Sequence, residues 1–169
     1  MFAPWWATTR QVNSPSRSAL AKRGASAYKS DQARVPTVLV VDDDAEWQKY
    51  ATLTLGQDYP VLSSSSGEDA LRIARNARPD VIILDVTMAG GMDGFTVFCE
   101  LRKNPDTAHI KVLMLTEVNR ATKLRLEAGA MEKYFGDGPQ AFLEKPINPD
   151  RLRQAVTTVL GLVSSQKEY

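Results

Sequence analysis

The sequence predicts an α/β fold, a doubly wound parallel sheet of five strands covered by five helices. Three observations predict it. Short runs at 38–41 and 81–84 are apolar at every position and rich in β-branched residues, as strands buried on both faces are. Segments of helical period separate these runs, so strand and helix alternate from residue 36 to residue 161. Gly, Pro, Ser and Asp punctuate the alternation where turns and caps are needed.

The first strand, 38–41, is followed by a helix over 45–55 that carries Trp47, Ala51 and Leu55 on one face and ends at Gly56. Val61 and Leu62 open the second strand, which runs into the serines at 63–66. A second helix, 67–77, is capped by Ser65 or Ser66, turns Ala70, Ile73, Ala74 and Ala77 inward, and stops before Pro79. The third strand, 81–84, ends at Asp85, and a glycine-containing loop leads to Asp93, the cap of a third helix carrying Phe95, Phe98 and Leu101. The fourth strand, 111–115, ends at Thr116, and the fourth helix spans 120–128 with Gly129 as its C-cap. The fifth strand, 141–143, ends at Glu144-Lys145-Pro146. Asn148 then caps the last helix, with Pro149 in its first turn and Leu152, Val156, Val159 and Leu160 inward. Right-handed crossovers leave few topologies for five such units, and the flavodoxin-like order 2-1-3-4-5 is the commonest.

A chain of 169 residues accommodates one domain of ordinary size with some surplus. The surplus is expected at the ends: a disordered basic tail over 1–34, the folded domain over 35–163, and a short tail over 164–169. The formal charge of +1 divides into +5 within residues 1–34 and −4 in the rest. A mildly acidic domain argues against nucleic acid as its ligand. The basic, serine-rich tail has the flavour of an organelle transit peptide, but Pro4-Trp5-Trp6 interrupts an amphipathic helix, so a soluble arm is the simpler expectation. No apolar run is long enough to span a bilayer, and a cytoplasmic protein without membrane attachment is expected. One cysteine, Cys99, excludes an internal disulfide framework and a multi-cysteine zinc site. One histidine, His109, removes most material for serine-histidine or cysteine-histidine catalysis. Cys99 is expected as a small buried hydrophobe and His109 as a solvated loop residue.

In such a sheet, ligands bind at the carboxyl edge of the strands, near the switch in strand order. Strand one ends in Asp42-Asp43-Asp44, strand three in Asp85, strand four in Thr116 and strand five in Lys145. Each residue alone has an ordinary explanation: a solvated loop acid, a strand-end hydroxyl, a solvent-facing lysine. Together at successive strand ends they do not. Several carboxylates in one cleft repel one another unless a cation is present. Oxygen ligands in an incomplete shell suit Mg²⁺, which also accepts a phosphoryl oxygen. A lysine and a hydroxyl at the same edge supply the charge neutralisation and hydrogen bond that a transferred phosphoryl group needs. The pattern reads as a carboxylate that accepts a phosphoryl group beside magnesium. Asp93 is fully explained as a helix cap.

Val40-Val41-Asp42-Asp43, Leu84-Asp85-Val86-Thr87-Met88, Met92-Asp93-Gly94, Leu115-Thr116 and Lys145-Pro146 resemble the response-regulator receiver domain of two-component signalling. The resemblance implies that Asp85 is the phospho-acceptor. Asp43 would bind Mg²⁺ with Asp85 and the backbone carbonyl of Thr87, and Asp42 would act mainly through a water. Thr116 would bond the phosphoryl oxygen, Lys145 would pair with it, and Phe142 takes the place of the family's switch aromatic. Partners implied are a histidine kinase or histidine phosphotransfer protein, and a downstream protein meeting the face of the fourth helix, fifth strand and fifth helix.

Three departures stand out. Ala89 occupies a position where proline is usual, with one extra glycine before Met92. Glu117 stands where a small residue is common, beside the phosphoryl entrance. The segment 130–140 is longer than usual, and Met131, Tyr134 and Phe135 make it a candidate partner surface.

With so few residues after the last helix, the expectation is a stand-alone receiver whose output is protein contact, with no enzymatic activity beyond its own phosphoryl transfer and autodephosphorylation. The rival is a haloacid-dehalogenase-type phosphatase with Asp42 as nucleophile and Asp44 as general acid. That pattern needs a further acidic pair after its lysine, which no strand end here provides. A third reading is a receiver fold that binds partners without phosphorylation.

Overall fold

The structure is a computed structural model, and it describes residues 34–89, 91–117 and 138–162, with positions 129, 133 and 136 besides. The predicted tails, the helix expected over 120–128 and most of 130–140, including Met131, Tyr134 and Phe135, lie outside the described residues. Among the described residues, five strands and four helices follow one another in the order β1 (Val38–Val41), α1 (Ala45–Leu55), β2 (Val61–Ser64), α2 (Gly67–Ala77), β3 (Val81–Asp85), α3 (Gly94–Lys103), β4 (Lys111–Glu117), β5 (Ala141–Lys145) and α4 (Pro149–Leu160), which is the last helix that the sequence predicts. All strand pairs are parallel, in the order β2-β1-β3-β4-β5. This is the flavodoxin-like arrangement that the alternation predicts. The strands run further than their apolar cores: β3 takes in Asp85, β4 continues through Thr116 to Glu117, and β5 reaches Lys145.

Strand alternation divides the interior into two cores, one on each face of the sheet. Leu39, Val41, Ile82, Leu84, Val112 and Met114 face α2 and α3, where Ala70, Leu71, Ala74, Val97, Phe98 and Leu101 meet them. Val38, Val40, Val81, Ile83, Leu113 and Leu115 face α1 and α4, where Ala51, Leu55, Leu152 and Val156 complete the second core. Both faces of β1 and β3 are therefore buried, which is why these two runs are apolar throughout. Each large side chain fully withdrawn from water contributes about 1.5–3 kcal/mol.

The caps follow sequence chemistry. Asp44, Ser66, Asp93 and Asn148 each sit in extended backbone and accept a first-turn N–H. Two expectations shift. α2 packs on α3 as well as on the sheet, so Leu71 is buried and Ala77 at its last turn is exposed. Cys99 is half-buried on α3, where burial pushes its thiol pKa up. His109 is exposed, as expected.

Gly94, at the start of α3, is required by proximity. A Cβ there would run into the carbonyl oxygen of Asp85 and lie 2.9 Å from Val86 Cα. Its N–H donates to the Val86 carbonyl at 3.1 Å. Helix α3 is thereby anchored directly to the end of β3.

Candidate functional site

The carboxyl ends of β1, β3, β4 and β5 form one edge. Asp42 extends the β1–β2 ladder by one bond, its N–H donating to the Ser64 carbonyl at 3.1 Å. Its carboxylate then turns the chain: Oδ1 accepts from the Asp44 N–H at 2.9 Å, and Asp44 caps α1 by accepting from Glu46 at 2.8 Å and Trp47 at 3.3 Å. From α1, the Gln48 amide donates to the carbonyls of both Asp42 and Ser64, fastening the helix to the ends of two strands.

Asp42 and Asp85 are almost wholly buried, and Asp43 is exposed beside them. The Lys145 ammonium bridges the buried pair, 2.6 Å from Asp42 Oδ2 and 2.8 Å from Asp85 Oδ1. Asp85 Oδ2 accepts the Thr87 N–H at 2.8 Å, which places the Thr87 backbone beside that carboxylate. Asp43 Oδ2 accepts the Ala89 N–H at 2.7 Å, tying the loop after β3 to the end of β1. The ammonium also lies 5.1 Å from the centroid of the Trp47 ring, within cation–π range.

Burial raises the Asp85 pKa; the Lys145 hydrogen bond and charge act in the other direction without cancelling it. Burial alone would lower the Lys145 pKa, but the hydrogen bonds its ammonium donates to Asp42 and Asp85, with their charges, outweigh this and hold it above its ordinary value. The ammonium is therefore a fixed positive charge between two carboxylates.

Asp42, Asp43 and Asp85 each bring one carboxylate oxygen to within 4.8 Å of the others. All three donors are hard oxygens, two buried and one open to solvent, a set that suits a small divalent cation keeping some of its waters. The residues present fit Mg²⁺.

Thr116 is buried at the end of β4, its hydroxyl donating to the Glu117 carbonyl at 3.2 Å. Phe142 is partly buried on β5 and packs on the α2–α3 core, opposite Met114. Glu117 is exposed opposite Lys145. The sequence reading brought Asp42, Asp43, Asp85, Thr116 and Lys145 to one edge, and all five lie there. It took Trp47 only as an inward-facing residue of the first helix, and it did not single out Tyr50 or Gln48. The spacing of Trp47 and Tyr50, one turn apart and just after the acidic run, was the available signal.

The fold and this edge define a class: a receiver of two-component signalling. The family profile of the response regulator receiver domain matches residues 38–157, and the chain belongs to that family. It is similar to protein PilH of Pseudomonas aeruginosa, 29% identical over 127 residues that make up 73% of this chain and 97% of PilH. It is also similar to the response regulator PleD of Caulobacter vibrioides, 38% identical over 114 residues, 66% of this chain and 23% of PleD. The chain thus spans nearly all of PilH and less than a quarter of PleD. Among solved structures, the chemotaxis response regulator CheY4 of Vibrio cholerae superposes with a TM-score of 0.65 at 31% identity, covering 74% of this chain and 98% of that one. Receiver domains are generally phospho-acceptor switches that bind Mg²⁺ at an acidic pocket. Among the described residues, no helix is long and apolar enough to cross a membrane.

Proposed function

We propose that the domain is a Mg²⁺-dependent phospho-aspartate switch in which Asp85 accepts a phosphoryl group from a histidine kinase or histidine phosphotransfer protein. The observation that carries this reading is the Lys145 ammonium bridging Asp85 and Asp42, with Asp43 completing the carboxylate cluster. An Asp85 carboxylate oxygen attacks phosphorus, and the bond from phosphorus to the donor imidazole nitrogen breaks. The electron pair leaves with the imidazole, and an acyl phosphate forms on Asp85. Hydrolysis of that acyl phosphate by water returns the carboxylate and releases phosphate.

Asp42, Asp43, Asp85 and the Thr87 backbone carbonyl would hold Mg²⁺, which when bound supplies charge neutralisation for the phosphoryl oxygens. Lys145 holds the carboxylate oriented and offsets the charge that phosphorylation adds. Thr116 turns its hydroxyl from the Glu117 carbonyl to a phosphoryl oxygen, and Phe142 follows on the same face. That couples the site to the surface around β5 and α4 and shifts the population toward an output shape read by a downstream protein.

The test is intact mass after incubation with acetyl phosphate, for wild type and Asp85→Asn, with and without Mg²⁺. One phosphoryl adduct in wild type alone, dependent on Mg²⁺, is the expected result. No adduct in a folded wild type would leave a phosphorylation-independent binding module. Donor hydrolysis that survives Asp85→Asn and is abolished by Asp42→Asn would assign the site to a phosphatase.

A further inference from the structure

The ammonium of Lys145 is held on three sides. Two are the carboxylates of Asp42 and Asp85, at 2.6 and 2.8 Å. The third is the face of Trp47, whose centroid is 5.1 Å away. An aromatic face presents negative charge to a cation without offering an acceptor atom, so it can hold the ammonium in place without taking a hydrogen bond from the carboxylates. A long, rotatable lysine stem gains most from such a constraint, because its freedom is otherwise lost anew each time the head group engages.

The ring is itself braced. Tyr50, one turn along α1, meets Trp47 edge-on at 6.1 Å between centroids and 64° between planes. The Tyr50 hydroxyl donates to the Ile147 carbonyl at 2.7 Å, two residues beyond Lys145. A closed circuit results: α1 to the Trp47 ring, the ring to Lys145, β5 to Ile147, and Ile147 back to α1 through Tyr50. Trp47, Tyr50, Lys145, Pro146 and Ile147, with Glu117 at the rim, line a cleft of about 350 Å³ beside the carboxylates. The aromatic pair and Lys145 line that cleft together.

We infer that Trp47, braced by Tyr50, is a positioning residue for phosphoryl transfer, its ring face holding the Lys145 ammonium over the Asp42–Asp85 gap. This rests on the phospho-aspartate reading of the same site. The Trp47 ring's contact with the site is the one to Lys145, through which it acts. Trp47→Phe keeps an aromatic face of weaker quadrupole, whereas Trp47→Leu keeps apolar bulk and removes the face. Tyr50→Phe keeps the ring contact and deletes the tie to Ile147.

The experiment measures the rate constant of Asp85 phosphorylation by acetyl phosphate with saturating Mg²⁺, by intact mass, in the full chain. The expected order is wild type, then Trp47→Phe, then Trp47→Leu, with a total loss of roughly 2- to 30-fold, the range that a cation–π contact spans from exposed to desolvated sites. Tyr50→Phe is expected to fall between wild type and Trp47→Leu. In a Lys145→Met background, Trp47→Leu is expected to change the rate no further, since the group it positions is gone. Thermal midpoints report folding separately, and Trp47→Phe serves as the informative variant if Trp47→Leu is unfolded. A Trp47→Leu rate equal to that of Trp47→Phe would overturn the inference, because packing alone would then suffice. An undiminished effect of Trp47→Leu in the Lys145→Met background would overturn it too. Failure of wild type itself to form the adduct would instead remove the phospho-aspartate reading on which the inference stands.

Discussion

Phe142 and Thr116 stand on the same face of the sheet, on adjacent strands and one alternation apart: Phe142 lies opposite Met114, and Thr116 follows Met114 by two residues. The face is the one covered by α2 and α3, and Phe142 is only partly buried there. A movement of the Thr116 side chain toward the carboxylate edge therefore opens space on the face that Phe142 already occupies. Thr116→Ala is expected to remain a substrate for phosphorylation at Asp85 while losing the phosphorylation-dependent change around β5. Hydrogen exchange of residues 141–147, with and without acetyl phosphate and Mg²⁺, reads this directly. A full wild-type exchange response in Thr116→Ala would break the coupling.

The buried Asp85 carboxylate sets a pH dependence of stability. Burial raises the folded-state pKa of Asp85 above its ordinary 3.8, so the folded protein binds its proton more tightly than the unfolded chain does. Stability from this group is present at low pH and falls as pH rises from 3.8 through the raised value. Asp85→Asn removes the cost and leaves Asp42 to pair with Lys145. In a chelator-containing buffer at neutral pH, the variant is expected to melt higher than wild type, by roughly 2–4 °C for each kcal/mol relieved. The advantage should fade as pH falls toward 3.8. Lys145 has the same sense in a higher range: its folded pKa is raised above 10.5, so its contribution is complete below 10.5 and is lost as pH rises beyond that value. Melting curves across pH 3–8 check the prediction, and an Asp85→Asn variant less stable than wild type at pH 7 would contradict it.

Metal binding should be visible as stability before any phosphoryl chemistry occurs. Asp43 is the exposed member of the carboxylate cluster and carries a bond to the Ala89 N–H rather than to Lys145. Adding Mg²⁺ to about a hundred times its dissociation constant stabilises a folded protein by about 2.7 kcal/mol. Wild type is expected to show a Mg²⁺-dependent rise in melting temperature, and Asp43→Asn to lose most of it while keeping its fold in the absence of metal. Differential scanning fluorimetry with Mg²⁺ titration decides the matter. An equal rise in Asp43→Asn would remove Asp43 from the ligand set.

The edge was legible in the sequence because strand ends are marked where apolar runs stop: Asp42, Asp85 and Thr116 directly follow such a run, and Lys145 stands one residue past another. The parallel register then brings them together without further information. The aromatic bracing was not legible. Trp47 and Tyr50 fit the inward stripe of an amphipathic helix, and a periodicity does not distinguish a ring that fills core from one that meets a lysine across the sheet. The inward set of α2 shifted for a related reason: Leu71 lies in the core that α2 shares with the sheet and with α3, a helix whose position no local pattern encodes. Gly94 shows the converse. Its role depends on the approach of Asp85 and Val86 from another element, while the sequence around it signals only a helix start.

Glu117 gives a last consequence. It pairs in register with Lys145, is exposed, and stands at the rim of the cleft beside the carboxylates. A negative side chain there repels an anionic phosphodonor and competes for the attention of the same ammonium. Interactions of exposed charges are weak and screened by salt, so the effect should be modest. Glu117→Gln, which keeps the shape and removes the charge, is expected to speed phosphorylation by acetyl phosphate about two- to fivefold at low ionic strength. The gain should shrink toward unity near 1 M salt, where the screening length is about 3 Å. Rates measured at several salt concentrations separate this from a steric effect. A gain that persists at high salt would mean that Glu117 restricts the entrance by its bulk or by reordering the strand end, not by its charge.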